Sequence, residues 1–194
     1  MVLVFASGNE GKLREINSLL PVDFRAESLA AFTSETDIAE PYFTFAENAM
    51  HKAKEAFRIT GLPSFADDSG LEVRALGGKP GVFSARYAGE KKDPSANNEK
   101  LLREMENVAG REARFRTVIA FYDGKNGKLF EGVVEGRIAH SPRGSNGFGY
   151  DPLFIPGNSD RTFAEMELAE KNRNSHRAKA FAAFLGWLKT LPGQ

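Results

Sequence analysis

Two adjacent carboxylates, Asp67 and Asp68, stand in the run FADDSGLEV with Phe65 and Ala66 on one side and Leu71 on the other. Carboxylates are costly to bury without a partner. On a strand they point to opposite faces, so at most one of them faces a given site. A carboxylate so placed can hold Mg²⁺ and activate a water. Asp, Ser and Gly are equally ordinary turn residues, so a solvated turn is the alternative, although the apolar flanks argue against full exposure. A second group is Ser7-Gly8-Asn9-Glu10-Gly11-Lys12, set between the apolar run Val2–Phe5 and a helical pattern of Leu13, Ile16 and Leu19/Leu20. A strand that runs into a helix presents unpaired N–H groups and a positive dipole end, which suits an anion. The competing reading is an S-x-x-E capping box made by Ser7 and Glu10. Both hold together only if Glu10 points away from the anion.

Two further groups follow. Phe148-Gly149-Tyr150-Asp151 places aromatics between glycines, which offers either a stacking surface for a base or a plug for the core. Lys171, His176 and Arg177 cluster near the C-terminus. An arginine fork can grip a phosphate or the O6/N7 edge of a purine, and a basic, solvated helix start is the plain alternative. The three histidines, His51, His140 and His176, show no H-E-x-x-H spacing. No G-x-S-x-G occurs, so a Ser-His-Asp hydrolase has no support. Each group alone is a weak signal. Together they supply a phosphate cradle, a metal carboxylate, lysines, a stacking aromatic and an edge-reading cation, the equipment for a Mg²⁺–nucleotide.

The elements that must position these groups are readable in outline. Residues 2–6 read as a buried strand and 9–20 as a helix; 21–43 are irregular or hold a short strand. Phe45, Ala49, Ala53 and Phe57 share one helical face, with Thr44 and Glu47 as a capping box and Gly61-Leu62-Pro63 as a stop. Residues 64–66 read as a short strand that enters Asp67–Gly70, and 71–73 leave it. LGGKPGVFSARYAGEKKDP reads as a long functional loop. A helix is expected over 95–107, strands over 113–123 and 128–139 joined by GKNG as a hairpin, a glycine-rich loop SPRGSNGFGYDP, and a short strand over 153–155. A final helix over about 175–190 turns Phe181, Phe184/Leu185 and Leu188 inward. This mixture predicts an α/β or α+β fold with a mixed sheet.

Composition narrows the function classes. The 194 residues suffice for one domain, or one domain of two lobes, with a real core. Formal net charge is zero, from 26 basic and 26 acidic residues, which disfavours binding to a nucleic-acid polymer. There is no cysteine, hence no disulfide, thiol nucleophile or zinc–thiolate site. No signal sequence or run of about 18 apolar residues is present, so a cytoplasmic protein without membrane contact is expected.

Seven stretches in order, SGNEGK, FAENAMHKAKEA, ADDSGLEV, LGGKPGVFSARYAG, SNGFGYDPLF, TFAEM and EKNRNSHRAKA, resemble the inosine/xanthosine triphosphate pyrophosphatases, from residue 3 to about 188. The resemblance implies one α/β domain over 1–194, with an elongated central mixed sheet flanked by helices and two lobes around a deep nucleotide-binding cleft. It implies a homodimer that hydrolyses ITP, dITP and XTP to the monophosphate and pyrophosphate with Mg²⁺. Ser7 to Lys12 and Lys52 would contact triphosphate and sugar. Asp68 would be metal ligand and general base, with Ser69 beside the substrate. Glu40 matches a second metal-binding position. Phe148, Gly149, Tyr150 and Asp151 would lie at the base, and Lys171, His176 and Arg177 would close over it. Ser7 replaces a commoner Thr, and Asn146 stands where Gly often precedes the motif. The rival expectations are a pyrophosphatase for pyrimidine or modified nucleotides and a non-catalytic nucleotide-binding module.

Overall fold

A computed structural model describes residues 1–7, 13, 16–17, 20 and 22–191, without the side chains of residues 172 and 174. Gly8, Asn9, Glu10, Gly11 and Lys12 therefore lie outside the described residues, as does most of the helix expected over 9–20. Leu13, Ile16 and Asn17 are helical.

Six strands form one mixed sheet in the order β2-β1-β3-β4-β5-β6. They are β1 (Val2–Phe5), β2 (Arg25–Ser28), β3 (Ser64–Val73), β4 (Glu112–Tyr122), β5 (Gly127–Ile138) and β6 (Phe154–Pro156). β1 pairs in parallel with β2 and β3, in register Val4 to Glu27 and Phe5 to Phe65. β6 pairs antiparallel with β5, Arg137 opposite Ile155. The helices are α1 (Phe45–Thr60), α2 (Pro94–Glu104), α3 (Leu168–Asn174) and α4 (His176–Leu188). Among the described residues no helix is long and apolar enough to cross a membrane.

The chain divides into two compact units: 1–68, 118–131 and 180–194 in the first, 69–117 and 132–179 in the second. The core of the first is aromatic. Phe184 of α4 packs on Phe65 (5.2 Å between ring centroids) and Phe130 (5.3 Å), and Phe5 stacks on Phe65 at 5.0 Å. In the second, Phe115 packs on Phe154 (4.6 Å) and Phe163 (6.1 Å), with Leu71, Leu101 and Met105 completely or almost completely buried around them.

Local signals set α1. The Thr44 hydroxyl accepts from Glu47 N (3.2 Å) and donates to the Glu47 carboxylate (2.6 Å). Gly61, at φ +69°, ends the helix by donating its N–H to Phe57 O, a conformation glycine adopts at little cost.

Three expectations need correction. Asp67–Gly70 is not a turn between two short strands: β3 runs unbroken for ten residues, almost all buried. Burial on both faces removes the polar/apolar alternation that marks a strand, and the acids within it imitated a turn. The segment expected as a long loop carries a 3-10 helix, Gly81–Arg86, and a shorter one, Arg74–Leu76, leads into it. α2 stops at Glu104, capped by Met105, and Asn107 has φ +63°. The helix expected over about 175–190 is α4, and a further helix, α3, precedes it, parted from it at Ser175, whose backbone is extended.

Because Phe184 is completely buried among five aromatic neighbours, Phe184→Ala should destabilise the fold by about 3–5 kcal/mol. Urea unfolding followed by tryptophan fluorescence measures this.

Candidate active site

The first unit gathers the phosphate-end candidates around one ammonium. Lys52 lies on the inner face of α1, and its Nζ donates to Glu40 Oε1 at 2.6 Å and to the backbone carbonyl of Asp67 at 2.8 Å. Asp68 Oδ1 is 3.7 Å from the same nitrogen. Asp67 and Asp68 are both buried, at 7% and 8% exposure. That outcome satisfies both halves of the sequence argument: the acids leave β3 on opposite faces, and neither is solvated.

The charges perturb one another. Burial pushes the Asp68 carboxyl up to about 6; Lys52 opposes this, Glu40 adds to it, and a hydrogen bond from Asn48 works against it. Burial pulls the Lys52 ammonium down, but Asp68, Glu40 and Asp67 together more than offset that and hold it above the ordinary lysine value. A carboxyl poised near 6 is suited to accept a proton close to neutral pH.

Asn48 is a member of this cluster that its residue type alone does not mark. It is 1% exposed. Its Oδ1 accepts from Tyr42 N at 2.9 Å and its Nδ2 donates to Tyr42 O at 3.1 Å. One amide thus clamps the backbone two residues after Glu40, while also reaching Asp68. The available signal was spacing: Asn48 and Lys52 stand four apart and share a helical face.

The second unit gathers the base-end candidates. Asp151 is 2% exposed, and its Oδ2 accepts from Phe148 N (2.8 Å) and from Lys171 Nζ (2.5 Å). Lys171 Nζ lies 4.7 Å from the Phe148 ring centroid and the Arg177 guanidinium carbon 5.6 Å. Phe148 itself is 63% exposed. Gly147 makes this turn possible: it has φ +77°, and a Cβ there would sit 2.1 Å from Asp151 Oδ2. Tyr150 is buried and donates its hydroxyl to Ser84 O at 2.9 Å. Asn98 Nδ2 donates to Gly149 O at 2.9 Å. Asn146 donates from its backbone to Ala164 O (3.0 Å) and from its side chain to Met166 O (3.1 Å), so the loop rests on the TFAEM turn.

Of the sequence-assigned residues, the structure thus brings together Lys52, Asp68 and Glu40 in one cluster, and Phe148, Asp151, Lys171 and Arg177 in another. The His176 ring stacks on Phe115 at 4.6 Å and 10°, and is 6% exposed. Ser69 Oγ is 2.8 Å from Thr117 Oγ1. Ser7 O accepts from Ser28 Oγ at 2.9 Å.

The donor set of the first cluster fits a hard divalent cation. Glu40 and Asp68 both turn oxygens toward one cationic centre, occupied by the Lys52 ammonium, and Asp67 adds to the negative field there. Among the described residues no three His, Asp or Glu side chains form an all-protein cage. Magnesium does not need one, since it is held through one or two carboxylates plus substrate oxygens and water.

Comparison with known proteins identifies the family. The family model of the Ham1 family matches residues 3–187. This chain belongs to the Ham1 family. It is 48% identical over 188 residues to the dITP/XTP pyrophosphatase of Christiangramia forsetii, covering 97% of this chain and 99% of that protein. It is 50% identical to the dITP/XTP pyrophosphatase of Geobacter sulfurreducens, covering 95% and 96%. Among solved structures, a HAM1 protein from Coxiella burnetii superposes with a TM-score of 0.94 at 41% identity, covering 98% and 100% of the two chains. The fold is therefore the mixed-sheet α/β fold of the Ham1 proteins.

Asn48→Ala should cost about 1–2 kcal/mol of stability and reduce kcat at least tenfold by releasing the Glu40 segment. Thermal unfolding and steady-state kinetics check the two effects separately. If Asp68 acts as the base, kcat/KM should fall tenfold per pH unit below about pH 6, because protonation of its carboxyl removes the acceptor. A flat profile from pH 5 to 8 would exclude that role.

Proposed function

We propose that this chain hydrolyses the nonstandard purine nucleoside triphosphates ITP, dITP and XTP to the nucleoside monophosphate and pyrophosphate. That activity removes deaminated purines from the nucleotide pool. The observation that carries the reading is the buried cluster of Lys52 with Glu40 and Asp68, in a chain whose Ham1 relatives are named dITP/XTP pyrophosphatases.

Cleavage between the α- and β-phosphates requires charge neutralisation, an aligned water and a stabilised leaving pyrophosphate. Asp68 and Glu40 are the residues that would hold Mg²⁺. Magnesium, when bound, supplies charge neutralisation at the phosphate oxygens. Asp68 orients the attacking water and accepts its proton, and Asp67 supports the negative field from the opposite face of β3. Lys52 exchanges Glu40 for a phosphate oxygen and, with Lys12 and the Ser7–Gly11 backbone, holds the departing pyrophosphate. The ammonium already has three acceptors around it, so phosphate contact and the Glu40 ion pair compete for the same donors.

Base selection is assigned to the second cluster. Phe148 offers an exposed ring face for stacking. Arg177 donates toward the 6-oxo group of hypoxanthine or xanthine, with Asp151 fixing Lys171 and Phe148 in place. Adenine places a 6-amino donor there, and donor facing donor can discriminate by about 10⁴. Guanine also carries O6, so GTP must be rejected near C2. The choice of Mg²⁺, a homodimeric assembly and a cytoplasmic location rest on the family resemblance.

The test is pyrophosphate release from ITP, XTP, dUTP, GTP and ATP with and without Mg²⁺. Release from ITP and XTP, dependent on the metal and far slower from the other three, is expected. Asp68→Asn should abolish turnover with no loss of melting temperature at pH 8, because it removes a buried carboxylate whose ionisation burial opposes. Near-normal turnover in that variant would overturn the mechanism.

A further inference from the structure

Arg111, remote in sequence from every residue assigned above, stands between two cavities of the second unit. One, of about 620 Å³, includes Leu102, Arg103, Met105 and Val108 in its wall. The other, of about 420 Å³, includes Arg137, Arg143 and Asp160. Arg111 and His140 line both.

The Arg111 guanidinium donates to three backbone carbonyls: Nε to Ile138 (2.7 Å), Nη2 to Ala139 (2.8 Å) and Nη1 to Met105 (3.2 Å). That employs three of its five N–H groups. Among the described residues it has no carboxylate partner. Carbonyl dipoles satisfy hydrogen bonds without cancelling the charge, and burial pulls this guanidinium below the ordinary arginine value. Its surroundings add to the imbalance. The side chains of Arg103 and His140 are exposed and make no hydrogen bond or ion pair among the described residues. Arg137 pairs with Asp160 at 3.0 Å, but that carboxylate is fully exposed, so the pair is strongly screened. Arg143 meets the Asp160 carbonyl at 2.8 Å and Glu165 at 3.6 Å. Four arginines thus line cavities whose own acids are Glu106 and Asp160.

We propose that this wall is a second ligand site, separate from the nucleotide-processing residues, which takes a phosphate-bearing anion. The four arginines outnumber the acids beside them, Glu106, Asp160 and the Glu165 that pairs with Arg143, which favours an anion, and the guanidinium fork fits phosphate oxygens. The larger cavity is within the size range of small-molecule sites, with Leu102, Met105 and Val108 beside the charged wall for an organic body. The source is either free phosphate or the ester of an organic molecule.

The test uses the full chain and the ring C–H signals of His140 in NMR, titrated with inorganic phosphate and, separately, phenyl phosphate against chloride at constant ionic strength. Saturable His140 shifts at millimolar phosphate are expected, reduced at least tenfold in apparent affinity by Arg103→Glu. Tighter binding of phenyl phosphate identifies an ester ligand; equal binding identifies the free anion. Arg103→Glu is preferred to Arg111→Ala, which would also release three carbonyls and threaten the fold. Pyrophosphate release from ITP should be unchanged in Arg103→Glu, so failure of the proposed function leaves this readout intact. Absence of saturable shifts, or identical titrations in parent and Arg103→Glu, overturns the proposal.

Discussion

The ammonium of Lys52 is the constraint on which the first cluster depends. Asp67 and Asp68 are buried side by side on one strand, and Glu40 comes from a different part of the chain. Three carboxylates so close together would repel one another and hold their charges only at high cost in a medium of low polarity. Lys52 supplies the opposing charge from the middle of a sixteen-residue helix. The helix can present it there because Phe45, Ala49, Ala53 and Ala56 bury the same side of α1. Packing energy that has nothing to do with chemistry therefore sets the position of a cation that the acids share. Carboxylate oxygens gathered on one centre suit a divalent cation better than a bare triphosphate.

The second unit applies the same logic with the roles reversed. There a buried carboxylate, Asp151, is the shared centre, and it collects a lysine and a backbone N–H. The arrangement holds Phe148 outward while its own carboxylate stays inside. Gly147 is indispensable to it, since any side chain at that position would collide with Asp151 Oδ2. Tyr150 and Asn98 then tie the loop to the Gly81–Arg86 segment and to α2. An exposed aromatic ring on a rigid support is better prepared for stacking than one on a mobile loop, because less freedom is lost on binding.

Local signals reported the helices well. The Thr44–Glu47 box, the apolar stripe and the Gly61 stop predicted α1 nearly to the residue, because capping and periodicity are short-range effects. The β4–β5 hairpin was legible from its alternation and from GKNG, where Asp123 Oδ1 accepts from Lys125 and Asn126 N–H groups. Strand β3 was not legible as a whole. Its middle is Asp-Asp-Ser-Gly, a turn by composition, and only burial between neighbouring strands makes it extended. Helix α3 was equally hidden, whereas the helix expected over about 175–190 is α4.

Residue types and their order were enough to determine that nucleotide chemistry belonged to this chain: seven motifs, two acids, three critical lysines and an aromatic loop survive as a list without any coordinates. Which of them cooperate was decided by tertiary structure. Glu40 reaches Lys52 across twelve residues and Lys171 reaches Asp151 across twenty, distances over which sequence spacing carries no geometric information. The same holds for Asn48, whose clamp on Tyr42 exists only once the preceding segment folds back onto α1. His176 marks the opposite case, because its neighbour Arg177 lies by Phe148 while its own ring packs on Phe115. Adjacent residues on a helix point about 100° apart, so a motif can name both and only packing can say which way each one faces.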